Sequence, residues 1–311
     1  MRKIIYLLAV SFIMLAGTSC QKFDNYEEPQ ETLKGTIIDK GTGTPFLTET
    51  GNNGVRIKLM EYSWSDNPTP YYFTVKQDGT FNNTKIFKGY YNIEPEGAFV
   101  PLVLKNSNGE IISDESVSMD IKGTVDLNFE VEPFLRVEYI GEPMIDGHKI
   151  TIKAKITRGT THPDYQQAVS DVYLFINGSS PYVGSNNFDD RYDKHLSGEE
   201  VKDIIGKTIT LTTEGELPAG RTYYLRIGAR IDKDIAGAKR YNYAEVFLSN
   251  MDYAQVSAAV ITQEFIDGIQ NDYLMEVVSR YPDRFFVCED DGTGEQYLFA
   301  DRFDYVDRFA C

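Results

Sequence analysis

The strongest constraint on the fold of this chain is the alternation of apolar and polar residues. Val125, Leu127, Phe129 and Val131 alternate with polar residues, and the same period of two recurs along much of residues 33–250. Successive side chains of a strand point to opposite faces, so this period predicts half-buried antiparallel strands. Gly and Asp turns between the runs favour the same interpretation. The chain is therefore predicted to be all-β.

Two consecutive β-sandwich domains account for this pattern, because two packed sheets bury one face each. The first is predicted at residues 33–132 and the second at 133–250, with a short hinge at residues 132–134. A helical spacing of apolar residues follows and stops at Pro282. We therefore expect a helical or irregular tail at 251–311, without an obvious partner face.

The N-terminus has the features of a secretory signal. Arg2 and Lys3 precede an apolar run at residues 4–16, and small residues lead to Cys20. This order resembles a bacterial lipoprotein signal at residues 1–19, in which Cys20 is lipidated after cleavage. Residues 20–32 are polar and acidic, predict a tether, and resemble the surface-export signal of Bacteroidetes lipoproteins. The alternatives are a plain secreted protein and a chance placement of acidic residues.

Charge and residue counts exclude several classes of function. The formal net charge of −16 argues against a nucleic-acid partner. With three histidines and three cysteines, we expect no metal site and no cofactor. No nucleophile, Walker or Rossmann motif occurs in the required context, so no catalytic residue is assigned. Paired carboxylates remain an alternative by count alone, although a solvated acidic surface is the simpler interpretation: Glu94, Glu96, Asp189, Asp190 and Asp193.

Two loops combine aromatic rings with hydroxyl, amide and carboxylate groups, as a sugar-binding surface does. Rings stack on the C–H face of a sugar while polar groups bind its hydroxyls. The first loop carries the only tryptophan, and the second lies in a long polar insert at residues 177–207. The candidate glycan-binding residues are Tyr62, Trp64, Asp66, Asn67, Tyr71 and Tyr72 in the first loop, and Tyr182, Asn187, Phe188 and Tyr192 in the insert. The alternative is that these rings fold back onto their own sandwich.

An ordered set of short segments resembles a family of Bacteroidetes lipoproteins, the domain of unknown function 3823. The segments are GTIID at 35–39, QDGTF at 77–81, FKGYYNI at 87–93, GSNNF at 184–188, GRTYYLRIGAR at 220–230 and YNY at 241–243. The resemblance covers residues 20–250. It implies a transthyretin-like or carboxypeptidase-regulatory-like sandwich followed by an immunoglobulin-like one. It also implies genes beside SusC/SusD-like outer-membrane pairs, and it supplies no catalytic residues.

The tail departs from this family. Residues 271–285 look like a helix and following strand of metal-dependent amidohydrolases, which carry their metal on histidines. Residues 251–311 contain no histidine, so this resemblance implies no activity. The tail is either a genuine appended helix or the product of a fusion, frameshift or readthrough.

The function expected from the sequence is non-catalytic. We expect a lipid-anchored outer-membrane protein facing the cell exterior, acting as a glycan-binding or scaffold component of a SusC/SusD-like polysaccharide-uptake system. The partners are then a polysaccharide or oligosaccharide and a transporter complex. The alternative is a structural docking or spacer protein that binds a transporter or surface lipoprotein and no sugar, since sandwich domains serve both uses.

Overall fold

The computed structural model describes residues 27–251 and three short strands of the tail. Its first domain is built from strands with short connections: β1 (Glu31–Asp39), β2 (Arg56–Glu61), β3 (Tyr71–Thr74), β4 (Thr80–Ile86), β5 (Gly89–Glu96), β6 (Val103–Lys105), β7 (Ile111–Asp114), β8 (Val117–Ile121), β9 (Thr124–Asp126) and β10 (Phe129–Val131). In one sheet β1 pairs antiparallel with β4 and parallel with β9 and β10. The other has the antiparallel order β3-β2-β5-β8, and β6 and β7 form a hairpin.

The alternation of β2 shows why these residues form a sandwich. Ile57 and Leu59 are almost fully buried, together with Ile93 of the neighbouring strand β5. Arg56 and Lys58 lie between them in sequence and are only partly buried, on the outer face. Burial of one face of each sheet therefore supplies the hydrophobic core, and the outer face of β2 and β5 is partly exposed.

The second domain is also all β. Its strands are β11 (Leu135–Tyr139), β12 (Met144–Asp146), β13 (Lys149–Arg158), β14 (Val169–Asn177), β15 (Lys194–Ser197), β16 (Thr208–Thr212), β17 (Arg221–Ile231), β18 (Asp234–Ile235), β19 (Ala238–Lys239), β20 (Asn242–Tyr243) and β21 (Phe247–Met251). One sheet joins β13 to β11, β12 and β16, and the other joins β15, β14, β17, β20 and β21. Short 3-10 helices occupy Pro163–Tyr165 and Gly198–Val201. The predicted all-β fold with two sandwich domains is confirmed.

The described part of the tail is an antiparallel sheet of β22 (Phe285–Glu289), β23 (Gln296–Ala300) and β24 (Phe309–Ala310). The sequence predicts helix or irregular chain here, and the structure instead has strands. Pairing of the strands, such as Val287 with Leu298, satisfies the backbone N–H and C=O groups. Strands can therefore form here although the apolar residues show no clear period. The predicted helix lies, apart from Met251, outside the described residues, as do the signal at 1–19 and most of the tether.

The predicted hinge between the domains is packed, so that prediction is wrong. Phe134 is buried and stacks on Tyr165 with ring centroids 5.2 Å apart. Pro133 forms a β-bridge with Phe99, and the Thr160 hydroxyl donates to Glu132 at 2.7 Å. A single cluster of buried apolar residues continues from the first sandwich into the second. Apolar burial at the junction opposes hinge motion.

A buried arginine joins three separate segments at the domain interface. Arg226 of β17 is fully buried, although strand alternation places its side chain on the face of the sheet opposite the core residues. Its guanidinium donates to the carbonyls of Thr48 (2.7 Å), Val183 (3.2 Å) and Ala244 (2.8 Å) and lies 4.4 Å from the ring centre of Tyr243. Burial lowers the pKa of Arg226 to about 10, so the group stays charged at neutral pH.

Glu49 of the first domain is the acidic counterpart in this region. Its carboxylate is buried and accepts hydrogen bonds from the Ser185 hydroxyl at 2.9 and 3.0 Å and from the Asn186 amide at 3.2 Å. Other bonds cross the interface. Arg136 donates to Asp39 through two bonds of 2.6 Å, and Asn242 donates to the Ala98 carbonyl at 2.8 Å. These bonds fix how the two sandwiches are oriented.

We predict that Arg226→Met destabilises the protein by about 3 kcal/mol, because three buried carbonyls lose their donor. Urea unfolding followed by circular dichroism measures the change. Arg221→Met is the matched control: Arg221 is exposed on the same strand, and a change within about 0.5 kcal/mol is expected. Equal stabilities of the two variants would contradict a structural role for the buried guanidinium.

The buried Glu49 side chain should make the stability of the protein depend on pH. Burial raises the pKa of Glu49 above its ordinary value, so the folded state holds a proton that the unfolded state releases. The contribution of this group to the free energy of unfolding is therefore largest below the unfolded pKa. It falls as pH rises through the folded pKa. Glu49→Gln removes this contribution. The Tm of the variant minus the Tm of the parent should therefore increase as the pH rises from about 4 to about 7.

Thermal unfolding of both proteins across this range tests the sign. Carboxylates with lowered pKa, such as Asp171, titrate in both proteins and cancel in the difference. A Tm difference that falls with rising pH would show that the Glu49 carboxylate is favoured in the folded state.

Candidate functional site

The loop that carries Trp64 leaves the end of β2 and is held against the start of β5. The Trp64 indole N–H donates to Glu61 at 2.8 Å, and two thirds of the residue is exposed, at 67%. The Ser63 hydroxyl accepts from the Tyr90 amide at 2.7 Å. Within the loop, the Asn67 amide donates to the Ser65 hydroxyl at 3.1 Å. These bonds give the loop a defined position beside the sheet.

Three tyrosines lie on the outer face of the same sheet. The Tyr62 amide donates to the Tyr90 carbonyl at 2.8 Å, so these two residues are neighbours on adjacent strands. Tyr91 is buried, so alternation directs Tyr90 outward. Tyr72 pairs with Lys58, an outer-face position of β2. We call Tyr62, Tyr72 and Tyr90 the aromatic surface; their exposed fractions are 43%, 38% and 44%.

Polar groups lie among these rings. The Arg56 guanidinium is 4.1 Å from the ring centre of Tyr72 and bonds to Glu96 at 2.7 Å. Lys58 bonds to Glu94 at 3.1 Å. The Asn92 amide donates to the hydroxyls of two serines, at 2.7 and 3.0 Å: Ser116 and Ser118. The face therefore combines rings with an amide, hydroxyls and charges neutralised in pairs.

The structure separates the predicted residues of the first loop. Tyr62 and Tyr72 belong to the aromatic surface, whereas Trp64 bonds to Glu61, which alternates with the outer-face residues of β2. Asp66 and Asn67 are exposed in the loop. Tyr71 is half exposed but pairs with the core-facing Leu59, so it lies on the other side of the sheet. Its hydroxyl accepts from Asn83 at 3.2 Å.

A cavity of about 400 Å³ lies beside Trp64. Phe87 and Lys88 line it, and so do several residues at the start of the described chain: Glu27, Glu28, Gln30 and Glu31. The last part of the predicted tether therefore lies beside Trp64, near the end of β2 that also leads to Tyr62.

Most of the predicted residues in the insert of the second domain contact other residues of the insert or of the neighbouring strands. Asn187 donates to the Tyr182 carbonyl at 2.6 Å and accepts from Asn177 at 3.0 Å. Phe188 packs edge-on against Phe175, with ring centroids 5.2 Å apart. Tyr192 meets Tyr223 edge-on at 6.3 Å. Tyr182 is the predicted residue of this loop with a largely exposed side chain, at 56%.

The two loops lie at opposite ends of the first domain. Gln77 donates to the Pro181 carbonyl at 3.2 Å, and Asn186 contacts Thr50, so the insert packs near the beginning of β2. Trp64 follows the end of β2, which has six residues and a length of about 20 Å. The candidate residues therefore do not form one site.

Three of the five carboxylates considered for catalysis pair with cations. Glu94 and Glu96 pair with Lys58 and Arg56, and Asp189 accepts two bonds from Arg191, at 2.8 and 2.6 Å. In the part of the chain that the structure describes, no group of three His, Cys, Asp or Glu residues could hold a metal ion. Within the same residues, no helix has the length and apolar character to cross a membrane.

The histidines contact neighbouring groups. His148 lies 3.0 Å from the Leu217 carbonyl oxygen, and His162 accepts from the Asp164 amide at 3.3 Å. His195 lies 2.9 Å from Asp171 and stacks on Tyr173 with centroids 3.9 Å apart.

Tyr90 is a residue of the aromatic surface that was not predicted from the sequence. The signal was present, since Tyr90 and Tyr91 are adjacent in a strand and must point to opposite faces. Their pairing with β2 was needed to place Tyr90 next to Tyr62.

Comparisons with known proteins agree with this fold. A family model for the N-terminal domain of a protein of unknown function, DUF3823, matches residues 31–132. The crystal structure of a DUF3823 family protein from Bacteroides uniformis is 35% identical, with a TM-score of 0.67, and the alignment covers 72% of this chain and 100% of that one. No curated protein matches the chain.

Two further crystal structures share the fold at lower identity. A Bacteroides uniformis protein named "putative carbohydrate binding protein" is 23% identical, with a TM-score of 0.56, covering 71% of this chain and 99% of that one. A DUF3823 family protein from Parabacteroides merdae is 19% identical, with a TM-score of 0.51 and coverage of 71% and 99%.

The fold and the site define a two-domain β-sandwich protein with an exposed aromatic surface on its first domain. Its identity and coverage with the Bacteroides uniformis family member are high enough to assign the family. The chain belongs to the DUF3823 family, as the sequence resemblance predicted.

Removal of single aromatic rings should distinguish an exposed ring from a ring that contributes to packing. We predict that Trp64→Ala changes the free energy of unfolding by less than about 1 kcal/mol, because most of the ring is exposed. Phe188→Ala should cost about 2 kcal/mol, since it removes the edge-on contact with Phe175. Urea unfolding followed by circular dichroism tests both, and equal losses would place Trp64 in the core.

Proposed function

We propose that the protein is a glycan-binding lipoprotein on the outer face of the outer membrane, anchored through Cys20. It would serve as a non-catalytic accessory or scaffold component of a SusC/SusD-like polysaccharide-uptake system. The observation that carries the proposal is the aromatic surface, in which exposed rings lie beside amide and hydroxyl groups on one sheet. Its ligand is a polysaccharide or oligosaccharide.

The spacing of the rings supports an extended ligand. Tyr62 and Tyr90 lie together, whereas Tyr72 pairs with Lys58, four residues earlier on β2. Four residues of a strand span about 13 Å. A ligand in contact with both ends would be an oligosaccharide rather than a single sugar ring.

The paired charges also favour a sugar ligand. Lys58 is neutralised by Glu94, and Arg56 by Glu96, so this part of the face carries no large net charge. Rings stack on the apolar face of a sugar, and the amide and hydroxyls exchange hydrogen bonds with its rim. The name of the Bacteroides uniformis neighbour, "putative carbohydrate binding protein", is consistent with this ligand class.

An anchor on Cys20 would hold the aromatic surface close to the membrane. Glu27 follows Cys20 by seven residues, a length of chain that reaches at most about 25 Å. Glu27 and Glu28 line the cavity beside Trp64. Confinement near a transporter raises the effective concentration of a glycan, so weak stacking sites would suffice.

The second candidate function is docking onto a transporter or another surface lipoprotein without sugar binding. Two adjacent isoleucines at the start of β7 favour it: Ile111 and Ile112 are 58% and 64% exposed. Exposed neighbouring aliphatic side chains are common in contact surfaces between proteins.

A glycan-array screen of the chain from Gln21 to Cys311 tests the proposal. We expect binding to an extended glycan, weakened about tenfold by each of Tyr62→Ala, Tyr72→Ala and Tyr90→Ala, which corresponds to about 1.4 kcal/mol per ring. Tyr182→Ala is the matched control, since Tyr182 is an exposed ring in the insert of the second domain, away from the aromatic surface, and its loss should leave binding unchanged.

Whole cells provide the second arm of this experiment. Cys20→Ser should abolish glycan capture at the cell surface while the purified chain still binds. Absence of binding by the parent across neutral and acidic polysaccharides would count against glycan binding. Recovery of an outer-membrane partner that is lost on Ile112→Ser would then favour docking.

A further inference from the structure

A second concave surface lies between the two domains, away from the aromatic surface. We call this cavity of about 390 Å³ the interdomain cleft. One wall is the turn after β1, with Thr44 and Leu47, and the other is formed by β11 and the segment after β20, with Glu138, Tyr139 and Glu245. Its volume lies within the usual range of small-ligand sites, about 300–1,000 Å³, and domain interfaces are a common location for them.

The walls of the cleft are held by bonds that need no ligand. Asp39 accepts two bonds of 2.6 Å from Arg136 and one of 2.8 Å from the Gly41 amide. The Tyr139 hydroxyl donates to the Glu245 carbonyl at 2.7 Å. The buried Asn242 side chain accepts from the Leu135 amide at 3.1 Å. The cleft is therefore preformed, which lowers the entropic cost of binding.

The lining selects a chemical class of ligand. Its apolar part includes Leu47, Val137 and Ala244, and its exposed polar part includes Thr42, Thr44, Glu138 and Glu245. The Arg136 guanidinium is engaged by Asp39 and, at 3.4 Å, by the Arg158 carbonyl. An anion would thus face two carboxylates and a cation that is already paired. A neutral molecule with an apolar face and several hydroxyl donors fits this lining.

We propose that the interdomain cleft binds a neutral sugar of one or two rings. Glu138 and Glu245 accept hydrogen bonds from its hydroxyls, and the apolar floor contacts its C–H face. This site is independent of the aromatic surface. Strand β1 separates Glu31, beside Trp64, from Asp39 in the cleft by about 26 Å.

Saturation-transfer NMR tests the proposal with the chain from Gln21 to Cys311. The probes are glucose, galactose, mannose, N-acetylglucosamine, their β-linked disaccharides and glucuronate. We expect at least one neutral sugar to bind and glucuronate to bind at least about tenfold more weakly. Thr44→Trp, which fills the mouth of the cleft, should weaken binding by at least about tenfold.

Control variants identify the site. Ser107→Trp adds the same ring at an exposed position outside the cleft and should leave sugar binding unchanged. Tyr62→Ala should also leave it unchanged, so failure of the aromatic surface and failure of the cleft are distinguishable. The double variant Glu138→Gln with Glu245→Gln should reduce the preference for neutral sugar over glucuronate at least about fivefold.

The remaining outcomes overturn the proposal. They are no saturation transfer to any neutral sugar at millimolar concentration, binding that persists in Thr44→Trp, and binding that is lost in Tyr62→Ala. A preference for glucuronate in the parent would also contradict it, since the Arg136 cation of the lining is already engaged by Asp39.

Discussion

The buried guanidinium of Arg226 is the interaction on which the arrangement of the two domains depends. It donates to carbonyls of the first domain, of the insert and of the strand connection after β20, and it lies over the ring of Tyr243. A buried charge is tolerated only where hydrogen bonds replace water. Docking of the domains and folding of the insert complete this set of acceptors. The insert, the interface and the buried arginine therefore form one cooperative unit.

The fixed interface determines how the aromatic surface and the interdomain cleft are placed relative to each other. A packed junction at Pro133 and Phe134, with a continuous core, joins the two sandwiches into one body rather than two modules on a hinge. The aromatic surface lies where the chain enters from the predicted anchor, and the interdomain cleft lies at the other end of β1. A rigid body keeps these two surfaces a constant distance apart. This geometry suits a protein that holds an extended glycan at more than one point.

The prediction of candidate residues was best where the neighbouring residues in the sequence indicate an exposed loop. Trp64 is surrounded by turn residues, which predicts a surface loop, and the structure places it there. Tyr71 and Tyr72 are adjacent, so strand alternation had to separate them, and the register with β2 shows that Tyr72 faces outward. Phe188 and Tyr192 resemble binding residues in composition, yet their contacts are with Phe175 and Tyr223. Composition alone does not distinguish a ring that packs from one that binds.

The sequence by itself determined the all-β class, the two sandwiches and the family, because period-two alternation and turn residues are local properties of the chain. Only the tertiary structure decided that Arg226 is buried, that the hinge is packed and that Tyr90 lies beside Tyr62. It also decided that the two aromatic loops lie at opposite ends of the first domain. These features depend on strand register and on the docking of the two domains. Both arise from contacts between residues far apart in sequence, which local patterns do not encode.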